Sequence, residues 1–219
     1  MRYQAVFFDF DGVILDSVGV KTDAFAAMFR SYGPEVEKAV VDYHLAHGGV
    51  SRFEKFKYYY KELLGRNIDE EELKRLGQQF NELVLEKVLA SPFIPGALET
   101  LKELKEKGVP AFVVSGTPDD EIKLIVEKRG LEGYFIEVHG SPRTKSEIVA
   151  DILQRHGYPA KTCLFIGDAM TDYEAAKETG VAFRGITSVS GDLLFPAGTN
   201  VSDRVLLHDI EKYRGVDIT

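Results

Sequence analysis

The stretch VFFDFDGVILDS, residues 6–17, is an apolar run that stops at two aspartates. Val6, Phe7 and Phe8 do not alternate with polar residues, the pattern of a strand buried on both faces. Asp9 and Asp11 follow two positions apart, and in extended chain residues i and i+2 point to the same side. Two unit charges ~5 Å apart at an effective dielectric of ~20 repel by roughly 3 kcal/mol. A strand that ends this way needs a counter-charge brought from elsewhere in the fold.

Outward from this strand, the second half of the chain alternates strand and helix. Strand-like runs are Ala111–Ser115, Phe135–Val138, Cys163–Gly167 and Val181–Arg184. Helical patterns lie at about Ala97–Lys107, Asp120–Arg129, Lys145–His156 and Asp172–Thr179, with Gly108, Gly130, Gly157 and Gly180 marking their ends. Strands separated by helices predict βαβ units, hence a parallel sheet covered on both faces. The first strand, Ala5–Phe8, joins the same sheet.

Residues 17–92 read differently. Helical patterns run over about Ser17–Tyr32, Glu35–His47, Arg52–Leu64 and Asp69–Leu89, with Leu73, Leu76, Phe80, Leu83 and Leu85 forming an apolar face in the last. The expected fold is therefore α/β: a Rossmann-like parallel sheet core (residues 1–16 and 93–219) interrupted after its first strand by an all-α cap domain (17–92). Ligands of open parallel sheets bind at the carboxyl ends of the strands, and an insertion leaving from that edge would lie over it as a lid.

Composition narrows the function. The chain has 219 residues, 44% of them hydrophobic, and 27 basic against 35 acidic residues give a net charge of −8. That balance argues against nucleic acid as the main partner. No run of about 18 apolar residues is present, so no membrane span is expected. No basic and apolar leader precedes the first strand, and the single cysteine, Cys163, rules out an internal disulfide; both suit a cytoplasmic protein. No feature calls for an obligate protein partner.

The strand ends collect a specific set of residues. Strand one ends in Asp9-Phe10-Asp11-Gly12, the next in Ser115-Gly116-Thr117, Lys145 opens the helix after the third, and the fourth ends in Gly167-Asp168 with Asp172 four residues on. This set resembles the haloacid dehalogenase (HAD) superfamily of phosphohydrolases, in the helical-cap branch similar to phosphoglycolate phosphatase and beta-phosphoglucomutase. The first motif matches Asp9, Asp11, Gly12, Asp16 and Ser17, the second Ser115, the third Lys145, with Lys123 as fallback, and the fourth Gly167, Asp168 and Asp172. Each is weak alone; four in order between the right strands are specific.

The resemblance implies a HAD-type phosphatase: an enzyme of the phosphoric monoester hydrolase class acting on a small phosphorylated metabolite, a sugar phosphate or phosphoglycolate-like acid, through an aspartyl-phosphate intermediate. Asp9 would be the nucleophile and Asp11 the general acid and base, kept protonated near neutrality by neighbouring anions. Ser115, Gly116 and Lys145 would hold the phosphoryl group. Mg²⁺ would be bound by Asp9, Asp11 through its carbonyl, Asp168 and Asp172, the last as support. Asp9, Asp168 and Asp172 bring three negative charges and Lys145 one positive, so a divalent cation balances the sum. Asp16 and Ser17 also suit an N-cap.

In the cap, Gly49-Val50-Ser51-Arg52 resembles the loop by which beta-phosphoglucomutase holds a distal phosphate, which makes Gly49 and Arg52 candidate substrate contacts and a phosphomutase the alternative activity. A phospho-accepting signalling module is a third reading; it would carry its acidic pair and its phosphorylated aspartate on separate strands and have no large cap. His44 and His47 are expected to be a solvated or loop-facing pair rather than a zinc site. His139, His156 and His208 are read as structural. Lys21, near the hinge, either meets substrate or faces water.

Overall fold

The computed structural model describes residues 3–187 and 194–206. The chain opens with β1 (Ala5–Phe8), runs through α1 (Val18–Phe29), α2 (Pro34–Ala46), α3 (Arg52–Tyr58) and α4 (Glu70–Ala90), then alternates. The alternating part comprises α5 (Ala97–Glu106), β2 (Ala111–Pro118), α6 (Asp119–Lys128), β3 (Glu137–Ser141), α7 (Lys145–His156), β4 (Cys163–Gly167), α8 (Met170–Thr179), β5 (Ala182–Ile186) and β6 (Val201–Ser202). The six strands form one sheet in the order β3-β2-β1-β4-β5-β6, every pairing parallel.

β1 lies between β2 and β4, which is why its sequence is apolar without alternation. Phe7 faces α7 and α8 and stacks on Phe112 and Phe165 at centroid distances of 5.4 and 6.3 Å. Val6 and Phe8 face the opposite layer, where Leu101, Ile122 and Ile125 of α5 and α6 pack. Burying a phenylalanine side chain contributes roughly 1.5–3 kcal/mol, so the motif strand is anchored from both sides before its polar end is reached.

The helical segment leaves and returns at one point. Leu15 and Phe93 form an antiparallel bridge; Asp16 N–H donates to the Pro92 carbonyl (2.9 Å) and Ile94 N–H to the Ile14 carbonyl (3.0 Å). This paired linker sits at the carboxyl end of β1 and holds α1–α4 over the strand ends. Phe25, Phe29, Phe56, Tyr59 and Phe80 fill the segment's interior, Phe25 lying 4.4 Å from Phe80 and Phe29 5.1 Å from Tyr59.

Three local expectations shift. The third strand begins at Glu137 rather than Phe135, because Glu132–Tyr134 forms a 3₁₀ turn and Phe135 tucks against Phe8. The helix expected to run to Leu64 widens into a π turn over Tyr59–Leu63. The buried face of α4 is Leu76, Gly77, Phe80, Val84 and Val88, and Leu83 is exposed. β6, two residues long, is too short for any pattern to reveal. No helix among the described residues is long and apolar enough to cross a membrane.

Candidate active site

Asp9 follows directly on β1, its N–H bonded to the Ile166 carbonyl of β4 (3.0 Å). Its Oδ1 accepts from the Phe10 N–H (2.6 Å) and its Oδ2 from Lys145 Nζ (2.6 Å). Lys145 is the first residue of α7, placed there by a capping box between Thr144 and Glu147. The same ammonium donates to Asp172 Oδ1 (2.6 Å), and Asp172 Oδ2 accepts the Ala169 N–H at the start of α8 (3.0 Å). Lys123, the alternative lysine, is exposed and paired with Asp119.

Asp168, just past β4, completes the group: carboxylate oxygens of Asp9, Asp168 and Asp172 lie within 4.8 Å of one another. Gly12 makes room for it. Its φ is +77°, and a Cβ there would stand 2.0 Å from Asp168 Oδ2. Burial first, and then the Asp9 and Asp172 charges, raise the Asp168 carboxyl well above its ordinary range, with Lys145 opposing. Burial pushes Asp172 up to about 7 against the pull of Lys145. Burial also works against the Lys145 charge, but Asp172 and Asp9 outweigh it and hold the ammonium above its usual range. One buried cation among two buried carboxylates and the half-buried Asp168 leaves negative charge uncompensated. A compact set of hard oxygen donors with surplus negative charge fits Mg²⁺.

Asp11 departs from expectation. Its carboxylate stands outside the three-aspartate group. Oδ1 accepts from Ser17 Oγ (2.6 Å); Oδ2 accepts from Lys21 Nζ (2.5 Å) and Thr117 Oγ1 (3.0 Å), and Lys21 also donates to Thr117 Oγ1 (2.8 Å). Burial raises its pKa, yet Lys21 and the hydroxyls prevail and bring it below the ordinary value. Asp11 is thus an anion in this arrangement; the anions expected to keep it protonated crowd Asp168 instead. Ser17 stands at the N-cap position of α1 but makes no capping bond, its hydroxyl going to Asp11.

Ser115 is buried, its Oγ accepting from the Thr117 N–H (3.1 Å), and with Gly116, Gly49 and Lys145 it lines a side cavity. The helical segment closes over these residues. Thr171 Oγ1 donates to the Gly48 carbonyl (3.1 Å). A Cβ on Gly116 would come within 2.2 Å of the Gly49 carbonyl oxygen, and one on Gly49 within 2.0 Å of Thr171 Oγ1 and 2.9 Å of Lys145 Nζ.

Under this lid lies a cavity of about 710 Å³, bounded below by Asp9, Asp11 and Asp168 and above by Lys21, His44 and Lys55. Arg52 also borders it, but its guanidinium bonds Glu121 Oε1 of α6 (2.5 Å) and lies 4.6 Å over the Phe80 ring. His47 is exposed and stacked on Tyr43 at 3.8 Å. His44 is buried against Lys55, contrary to the expected solvated pair. His139 and His156 both bond Glu137 at the surface; His208 lies outside the described residues. Sequence reasoning missed Thr117, Lys55 and the contacts of Lys21. The one available signal was spacing: Lys21 stands one helical turn beyond Ser17, on the same face.

Similar proteins point the same way. The phosphoglycolate phosphatase of Vibrio parahaemolyticus is 28% identical over 197 residues, covering 82% of each chain. The 2-hydroxy-3-keto-5-methylthiopentenyl-1-phosphate phosphatase of Microcystis aeruginosa is 23% identical, covering 81% of this chain and 82% of its own. Among solved structures, a hydrolase from Pseudomonas syringae superposes with a TM-score of 0.77 (22% identity; 97% of this chain, 100% of that one). Beta-phosphoglucomutase from Clostridium difficile superposes at 0.75 (17% identity; 96% of both). These likenesses establish the fold. The haloacid dehalogenase-like hydrolase family model matches residues 3–180, from β1 through the last of the four motifs, and the chain belongs to that family.

Proposed function

We propose that this hydrolase is a Mg²⁺-dependent phosphatase of small phosphorylated metabolites, working through an aspartyl-phosphate on Asp9. The observation that carries the reading is the convergence of Asp9 with Asp168, Asp172 and Lys145 from three other elements, with Asp9 and Asp168 at the floor of the lidded cavity. Similarity to relatives named as phosphatases supports it.

In this reading residues 17–92 act as a cap domain over a core of 1–16 and 93–219. Asp9 attacks phosphorus in line; the ester P–O bond breaks and the leaving oxygen takes a proton from Asp11. Asp11 then removes a proton from water, which attacks the same phosphorus, and the Asp9 carboxylate and inorganic phosphate are released. Lys145 fixes the Asp9 carboxylate and opposes charge building on the phosphoryl oxygens, which Ser115 and the Gly116 backbone help to hold. Asp9, Asp168 and Asp172, with the Asp11 carbonyl, would hold Mg²⁺, which when bound neutralises phosphoryl charge. Lys21 and Thr117 position Asp11: as an anion it is set for the water step, and it must leave Lys21 and gain a proton for the first. The closed lid limits access to small esters and excludes bulk water.

Release of phosphate from p-nitrophenyl phosphate and from a panel of phosphorylated sugars and acids tests the reading. Activity should depend on Mg²⁺, stop with EDTA and be absent from Asp9→Asn protein. Turnover by purified Asp9→Asn protein would overturn the nucleophile assignment.

A further inference from the structure

Arg52 opens α3 and borders the cavity that holds Asp9. A guanidinium in a cavity wall, with five donors in a planar fork, is a strong anchor for a phosphate group. Here the fork is already engaged. Nη2 donates to Glu121 Oε1 (2.5 Å), Nη1 approaches the Gly77 carbonyl oxygen (3.4 Å), and Cζ lies 4.6 Å from the centre of the Phe80 ring. Glu121 stands in the first turn of α6 and is not among the described residues that line the cavity. The Arg52 and Glu121 side chains are 5% and 9% exposed, so the pair is screened little by water. The other cations near Asp9 are occupied or weakened. Lys21 pairs with Asp11, and Lys145 with Asp9 and Asp172. Lys55 Nζ lies 2.8 Å from His44 Nδ1, and burial, then Lys21 and Lys145, lower its amine to about 7, which leaves it mostly uncharged at pH 8.

We propose that Glu121 is a specificity-determining residue: by holding Arg52 it denies the cavity an anchor for a second phosphate, so that the enzyme selects monoesters whose leaving group carries no phosphate of its own. The proposal rests on the phosphatase reading for its reaction and adds the residue that restricts the leaving group. A second phosphate reaches the guanidinium only by displacing Glu121. That exchange strands a nearly buried carboxylate beside a new dianion, and a buried charge stripped of its partner is costly. A neutral leaving group requires no exchange. Discrimination of this kind is built by withholding a partner as much as by supplying one. Glu121 exerts it through Arg52, from outside the cavity. With a neutral amide in place of Glu121, the guanidinium stays in the wall and its charge becomes available to a ligand.

The test compares the monophosphates of 1,4-butanediol and 1,6-hexanediol with the corresponding bisphosphates at pH 8. The parent should favour the monophosphate in kcat/KM. Glu121→Gln should shift that ratio toward the bisphosphate by about tenfold or more, the range of one hydrogen bond to a charged group, and chiefly through KM. Glu121→Gln/Arg52→Met, which carries neither charge, should return the ratio to within about threefold of the parent's. An ion pair with a purely structural role would lower the melting point of Glu121→Gln and leave the ratio where it was. Should Glu121→Gln fail to fold, the charge-neutral Glu121→Met/Arg52→Met protein decides. A parent-like ratio there supports masking; a loss of the bisphosphate relative to the monophosphate shows that Arg52 already anchors it in the parent, and overturns the proposal. A parent that favours the bisphosphate, a Glu121→Gln ratio close to the parent's, or a shift that survives removal of Arg52 also overturns it. Calorimetric binding of the same esters to proteins that also carry Asp9→Asn reads the ratio without turnover. Absence of turnover on every ester, with the binding ratios as expected, would instead count against the phosphatase reading alone.

Discussion

Asp168→Asn should make the metal-free protein more stable while disabling it. Asp168 faces Asp9 and Asp172 with oxygens within 4.8 Å, and Lys145 supplies the one opposing charge. At that separation and an effective dielectric of ~20, each charge pair is worth about 3 kcal/mol. Two repulsions against one attraction leave roughly 3 kcal/mol of net strain for asparagine to remove. The sign follows from linkage. The folded state raises the Asp168 pKa, so it holds that proton more tightly than the unfolded chain does. The parent therefore loses stability as pH rises from the unfolded value near 3.8 toward the raised folded value. Asparagine has no such loss, and its advantage should be small at pH 4 and fullest at pH 8. For a chain of this size about 3 kcal/mol corresponds to roughly 6–12 °C in Tm. The assay is thermal unfolding in EDTA and again in excess Mg²⁺ across that pH range. Mg²⁺ should raise the parent's Tm, increasingly with pH, and leave the variant's nearly unchanged. An Asp168→Asn protein that melts below the parent in EDTA at pH 8, or gains as much from Mg²⁺, refutes the reasoning.

Three further outcomes follow from the geometry. Gly116→Ala places a methyl 2.2 Å from the Gly49 carbonyl oxygen, so the lid loop must lift; amide exchange over residues 48–50 should quicken and kcat/KM fall, and unchanged exchange would show that the loop does not rest there. Arg52→Ala strands Glu121, whose side chain is 9% exposed; it should cost about 3–5 kcal/mol in urea unfolding, with most of the loss recovered in Arg52→Ala/Glu121→Ala, and additive losses would deny the pairing. Glu137 is held below its ordinary pKa chiefly by Arg155, then by His156 and His139 against the effect of burial. Its contribution is present above pH 4.5 and fades as pH falls through the lower folded value, so the stability gap between parent and Glu137→Gln should close toward pH 2, and a gap constant with pH would rule this out.

Much of this was legible in the sequence because the motif residues are tied to strand ends. Once Val6–Phe8 is a buried parallel strand, Asp9 must emerge at its carboxyl edge. The same rule carries Ser115, Lys145, Asp168 and Asp172 to that edge, since parallel strands all finish on one side of a sheet. The interruption after β1 was equally readable, as strand patterns cease where helical ones begin. Side-chain partners across the two layers were not. Whether Arg52 meets substrate or Glu121 depends on where α6 lies beneath α3. That His44 is buried beside Lys55 follows from how α2 and α3 close on each other, and periodicity places a residue on a face without saying what the face meets. The charge of Asp11 was decided the same way: Lys21 and Thr117 reach its carboxylate, while Asp9, two residues earlier in the same motif, meets Lys145 and Asp168 instead. Local spacing determines which backbone edge a group occupies; the field it feels is a sum over neighbours that only the folded chain assembles.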